Sequence, residues 1–128
     1  RSSVLFDLDD DGDLDIVTNE FNGRPMVLVS DLAERNPDLA FLKVKLVGTK
    51  SNRSALGAVV RVAAGDLNLM KVKDGQSGYL SHSDFPLYFG LGSAKQIDRL
   101  EVSWPSGIKQ VVEGPIDLNK MLTIEERE

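Results

Sequence analysis

Short apolar runs, broken at close intervals by glycine or proline, limit this chain more than any other feature of its sequence. Leu100-Glu101-Val102-Ser103-Trp104 alternates apolar with polar residues, the period of a strand that buries one face. Leu100, Val102 and Trp104 are therefore expected to face a core, and Glu101 and Ser103 to face water. Pro105-Ser106-Gly107 then turns the chain and residues 108–112 return, which reads as a hairpin. Further strands are expected over residues 41–47, 58–63, 67–72, 86–89 and 122–125, with Gly65-Asp66 as a two-residue hairpin turn.

No window of 11 or more residues carries a clear 3.6-residue apolar period, so the chain reads as nearly all β. The exception is residues 31–39, where Ala33-Glu34-Arg35 can form one helical turn before Asn36-Pro37 ends it. That polar stretch also reads as a seam. Residues 1–30 then form a short acidic unit, 31–40 a linker, and 41–128 a domain expected to be an antiparallel β-sandwich or barrel of about six to eight strands.

A length of 128 residues suits one ordinary globular domain. The longest apolar run falls far short of the roughly 20 residues of a membrane helix, and Arg1 opens no Met-initiated leader. The chain is thus expected to be soluble, without membrane insertion, and a processed or excised piece of something longer. Six of the 20 acidic residues lie between positions 7 and 15, leaving 14 against 15 basic residues in the rest of the chain. With no run of Lys or Arg to displace phosphate counterions, nucleic acid is not an expected partner. The absence of Cys removes disulfide frameworks, thiolate zinc sites and thiol catalysis together.

The acidic run is patterned. Asp7-Leu8-Asp9-Asp10-Asp11-Gly12-Asp13-Leu14-Asp15 places carboxylates at positions 1, 3, 5 and 9 of a loop with Gly at position 6. Calcium takes six to eight oxygens at roughly 2.3–2.6 Å, and this spacing turns Asp7, Asp9 and Asp11 toward one point. Gly12 permits the sharp turn, the Asp13 carbonyl supplies another oxygen, and Asp15 closes the far side directly or through water. The helix-flanked form of such a loop needs a Glu at position 12, where this chain has Thr18. Strand-like Val4-Leu5-Phe6 and Ile16-Val17-Thr18 flank it instead. Ca2+ is accordingly the expected cofactor, with Asp7, Asp9, Asp11, Asp13 and Asp15 as its residues.

The stretch Phe6–Val17, followed by Asn19 and Asn22-Gly23, resembles an FG-GAP or VCBS-type repeat, one blade of a β-propeller with a calcium loop between two strands. From Phe41 onward the chain resembles the ASPIC/UnbV domain, in Leu46-Val47-Gly48-Thr49-Lys50-Ser51-Asn52-Arg53, Ala55-Leu56-Gly57-Ala58-Val59-Val60-Arg61-Val62, Gly75 with Gly78-Tyr79-Leu80-Ser81, Phe89-Gly90-Leu91-Gly92 and Val102-Ser103-Trp104-Pro105-Ser106-Gly107. The resemblance implies an extracellular or secreted protein in which this domain follows a calcium-binding propeller, and it implies no catalytic role. A blade has four strands, whereas residues 1–30 offer three, so this part is expected to be a partial blade with open edges that seek the 41–128 domain or a second molecule. His82 departs from the polar residue, such as Gln, that the family more usually carries there.

The remaining candidates read more simply. Ser81-His82-Ser83-Asp84 lies outside any Gly-x-Ser-x-Gly elbow, so His82 is a polar loop residue and no catalytic residue is assigned. Glu101 and Glu113 lack an enclosing wall for paired-carboxylate chemistry. Asn52 stands in an Asn-x-Ser pattern and is read as capping backbone groups in a polar turn. Lys71 and Lys73 are read as the wet face of a strand, and Trp104 as core rather than a sugar platform; Tyr79, Tyr88 and Phe89 carry the same ambiguity. The function expected is a non-enzymatic extracellular calcium-binding module for interaction or adhesion, with a protein or glycan partner. The alternative is a carbohydrate-binding module of a polysaccharide-handling system.

Overall fold

The computed structural model describes residues 2–76 and 81–127. Two compact units divide the chain: Arg1–Asp38 with Gly75–Phe85, and Leu39–Asp74 with Pro86–Glu128. Tyr79 lies outside the described residues.

The first unit holds one antiparallel sheet of β1 (Ser2–Phe6), β2 (Asp15–Asn19) and β3 (Met26–Leu28), in that order. The β1–β2 register runs from Ser2 opposite Asn19 to Phe6 opposite Asp15, so the aspartate loop is the turn of a hairpin. α1 (Leu32–Arg35) follows, a single turn ended at Asn36 as the Asn-Pro pair requires. The Gly75–Phe85 stretch is closed at its base, where Gln76 bridges His82 and the Ser83 N–H donates to the Gly75 carbonyl at 2.8 Å. Phe85 from this stretch stacks on Phe6, with ring centroids 4.5 Å apart and planes 7° from parallel.

The second unit is all β. One sheet runs β10 (Lys120–Glu125), β4 (Ala40–Val47), β7 (Leu87–Gly92); the other runs β6 (Leu67–Val72), β5 (Val59–Ala64), β8 (Ile97–Ser103), β9 (Lys109–Ile116). These seven strands match the expected six to eight, and every pairing is antiparallel except β10 with β4. Leu42, Val44, Phe89 and Leu91 from the first sheet share one buried cluster with Val60, Val62, Leu100 and Val102 from the second. A single apolar layer between two sheets makes this a sandwich. Leu100, Val102 and Trp104 are in that core as their alternation requires, while Glu101 lies outside it between Arg61 and Arg99.

Gly65 and Asp66 join Ala64 to Leu67, a register pair, as a two-residue turn. Lys73 corrects one expectation. Lys71 is exposed, but Lys73 is buried, because it lies past the end of β6 where residues 55–58 fold over it. Its N–H donates to the Ala58 carbonyl at 2.9 Å and its carbonyl accepts the Gly57 N–H at 2.8 Å.

Candidate metal centre

The aspartate loop joins two short strands. β1 and β2 contribute five residues each, and the turn between them is made of acids. Asp10 and Gly12 both adopt positive φ, 66° and 102°; the second falls on the residue type that adopts it without strain. The Gly12 N–H donates to Asp7 Oδ2 at 2.9 Å, and the Asp13 N–H to Asp11 Oδ1 at 3.0 Å, folding the loop inward.

Within this turn Asp7, Asp9 and Asp15 bring carboxylate oxygens within 4.8 Å of one another. Oxygens on opposite sides of a calcium ion bound at about 2.4 Å stand at most about 4.8 Å apart, so this cluster has the size of a calcium shell. All three donors are hard oxygens, the class calcium takes. Asp11 and Asp13 stand outside this group. For Asp11 the Asp13 N–H alone would lower the carboxyl, but desolvation and the negative charges of Asp13, Asp9 and Asp7 leave it raised above 3.8.

Asp13 and Asp15 have a further task that local spacing does not reveal. Both are buried, at 4% and 1% exposure. Asp15 Oδ2 accepts the Leu8 N–H at 2.7 Å and its Oδ1 accepts the Ser30 N–H at 2.8 Å. Asp13 Oδ2 accepts the Ala33 N–H at 2.8 Å, an amide in the first turn of α1 that has no partner within the helix. Asp31, at the N-cap, makes no capping bond, so Asp13 takes that role from 20 residues away. Asp13 Oδ1 is buried with no hydrogen-bond partner among the described residues. The two carboxylates thus tie the chain after β3 to the loop.

A second acidic centre escaped the sequence reading. Glu126 lies in the acidic run Glu125-Glu126-Arg127-Glu128, which has the look of a solvated tail, yet it is 3% exposed. Parallel pairing of β10 with β4 carries it to the turn after Val47, where its N–H donates to the Val47 carbonyl at 2.9 Å. Glu126 Oε2 accepts three successive N–H groups, from Thr49 and Lys50 at 2.8 Å and Ser51 at 2.7 Å. Oε1 accepts the hydroxyls of Ser51 and Ser106. Burial alone would raise the carboxyl, but the Ser106 hydroxyl, the Ser51 and Thr49 amides and the Ser51 hydroxyl outweigh it and hold the pKa at about 2. The turn needs Gly48, since a Cβ there would stand 2.1 Å from the Asn52 carbonyl oxygen. The one local sign was a glycine followed by consecutive polar residues, a backbone able to cup an anion.

The other candidates settle into place. His82 is exposed. Trp104 is 3% exposed with Nε1 donating to Gln110 Oε1 at 3.2 Å, which leaves no face for a sugar. Phe89 is buried, whereas Tyr88 is half-buried and stacks on Phe41. Asn52 Oδ1 accepts the Leu56 N–H and its Nδ2 donates to the Leu56 carbonyl, the capping role expected of it. Glu101 and Glu113 both face Arg99, and Glu101 faces Arg61 as well. Among the described residues no helix is long and apolar enough to cross a membrane.

A search of curated proteins returns no match. The family model described as ASPIC and UnbV matches residues 48–128, well over half of the chain. That span begins at Gly48 and holds both the turn around Glu126 and the Trp104-Pro105-Ser106-Gly107 corner. The chain belongs to the ASPIC and UnbV family.

Proposed function

We propose that this chain is a non-enzymatic, calcium-binding interaction module of a secreted protein, working outside the cell, or in the periplasm or on the surface if the source is bacterial. The observation that carries the reading is the convergence of Asp7, Asp9 and Asp15 within 4.8 Å at the turn of one hairpin. Bound there, calcium would neutralise carboxylates that otherwise repel one another, and would hold together two strands too short to keep their register alone. Asp11, at the same turn, and the Asp13 carbonyl are the further oxygens on offer. The role is structural: the ion fixes the loop, and Asp13 and Asp15 pass that order on to Ala33 and Ser30.

Residues 1–30 fit the reading as part of an FG-GAP or VCBS-type propeller blade. All three strands are present, and Met26, Val27 and Leu28 of β3 are each at least half exposed. An edge strand this apolar invites pairing, either within the parent protein or between copies of this chain. Adhesion or surface assembly, with a protein or glycan as partner, suits a module that offers such an edge.

Thermal unfolding with calcium and with chelator tests the proposal, with Asp9→Ala as the control. A melting temperature that rises with calcium in the native chain and not in the variant supports it. Identical curves for the native chain in both conditions would overturn it.

A further inference from the structure

The first unit contains an open recess of about 290 Å3, bounded by β1, β2, Pro25 and residues 81–85. That volume lies near the lower end of small-molecule sites. Its lining is polar in an unusual way. Ser2, Thr18, Ser81 and Ser83 bring hydroxyls, His82 brings an imidazole, and none of the described lining residues is Lys, Arg, Asp or Glu. Two of these hydroxyls, Thr18 Oγ1 and Ser81 Oγ, are shielded from solvent with no hydrogen-bond partner among the described residues. Such groups are rare in folded proteins and call for a use.

We propose that this recess binds a neutral sugar residue. Hydroxyl groups donate and accept, and an imidazole adds ring nitrogens beside them, which matches the adjacent hydroxyls of a pyranose. Among the described lining residues a phosphate would find no Lys or Arg, and an ammonium ion no Asp or Glu. Phe85 completes the match: its ring is 41% exposed, lines the recess, and is held in plane by stacking on Phe6. A fixed aromatic face suits the C–H side of a sugar ring, whose slightly positive hydrogens meet the negative π face. The bridge between Gln76 and His82 and the bond from Ser83 to Gly75 anchor the chain that carries three of these side chains. This site deepens the interaction-module reading and rests on it for its biological setting, but none of Asp7, Asp9 and Asp15 lines the recess.

The test is an amide-resolved NMR titration of the full chain with the methyl glycosides of glucose, galactose, mannose and N-acetylglucosamine. Each is taken to about 50 mM, above the millimolar range of a single shallow site. The expected result is a saturable shift at Thr18 and residues 81–83 with at least one sugar. Thr18→Val, which keeps the shape and removes the hydroxyl, and His82→Ala should each weaken it about fivefold or more, a loss of about 1 kcal/mol. Removing an unpartnered hydroxyl should leave the melting temperature of Thr18→Val unchanged or raised. No saturable shift with any of the four sugars, or a response of the same amides to inorganic phosphate instead, would overturn the proposal. So would a Thr18→Val variant that binds normally and melts lower, since its hydroxyl would then serve the protein interior. The calcium-dependent melting shift is read on the same samples. A calcium response without sugar binding removes this site alone, and sugar binding without a calcium response removes only the metal reading.

Discussion

Glu126 accepts both the backbone N–H of Ser51, at 2.7 Å, and its side-chain hydroxyl, at 2.8 Å, across 75 residues of chain. One carboxylate therefore joins the end of the last strand to the turn after β4, with Ser106 from the β8–β9 turn as a third point of attachment. Five donors and a single buried acceptor make this an anion site filled by the protein's own side chain.

Its pH dependence follows. The folded-state pKa, about 2, lies below the ordinary 4.5, so the stabilisation is complete above about 4.5 and is lost as pH falls toward 2. Glu126→Gln should lower the melting temperature at pH 7 and flatten its fall between pH 5 and 2.5. Circular dichroism melts across that range read the slope; parallel curves for the two proteins would count against the assignment. Asp98 and Asp117 are also lowered, by the Gly65 amide and by Lys120, but both stay in the variant and cancel in the comparison.

Asp9 and Asp15 should separate a metal role from a structural one. In chelator, Asp9→Ala is expected to be near neutral, since its carboxylate is exposed. Asp15→Ala leaves the Leu8 and Ser30 amides without their acceptor and should cost about 1–3 kcal/mol for each that stays buried. Hydrogen exchange at these two amides checks it: faster in Asp15→Ala and unchanged in Asp9→Ala.

Leu100 is fully buried at the centre of β8 between the two sheets. Leu100→Ala should destabilise the sandwich by about 2–5 kcal/mol. Trp104, the chain's single tryptophan, is buried in the same core, so its fluorescence reports the denaturant midpoint directly.

Gly48→Ala should be costly for a reason that size alone does not convey. The neighbouring atom is a backbone oxygen and cannot rotate away, so the turn that offers Thr49, Lys50 and Ser51 to Glu126 has to shift. A loss of about 1–3 kcal/mol is expected. Adding Glu126→Gln to the same chain should cost less than in the native protein, because the two changes damage one arrangement.

Val27→Lys places a charge on the exposed edge strand β3. If copies of this chain associate through that edge, light scattering at high concentration should show a smaller mass for the variant than for the native chain. Equal, monomeric masses would leave the edge without a role between copies.

The strands of the sandwich were legible because alternation is local: whether residues 100, 102 and 104 share a face depends only on the two-residue period of the backbone. The aspartate loop was legible for the same reason, its acids and glycine standing within nine residues of each other. Which of those acids converge was not. Asp11 fits the spacing as well as Asp7 and Asp9 do, and the outcome is bound up with the Ser30 and Ala33 amides, outside the loop, that Asp15 and Asp13 hold. Lys73 looked like a wet strand residue until the 55–58 turn folded over it, and Gly75–Phe85 grouped with the N-terminal sheet through contacts such as Phe6 with Phe85. Glu126 is the extreme case. A carboxylate near a chain end has no local reason to be buried, and only the parallel pairing of β10 with β4 brings three N–H groups to meet it. Sequence determined the elements, because backbone period and turn chemistry act over a few residues. Tertiary structure decided which charges are buried, because burying one requires donors that the chain supplies from far away.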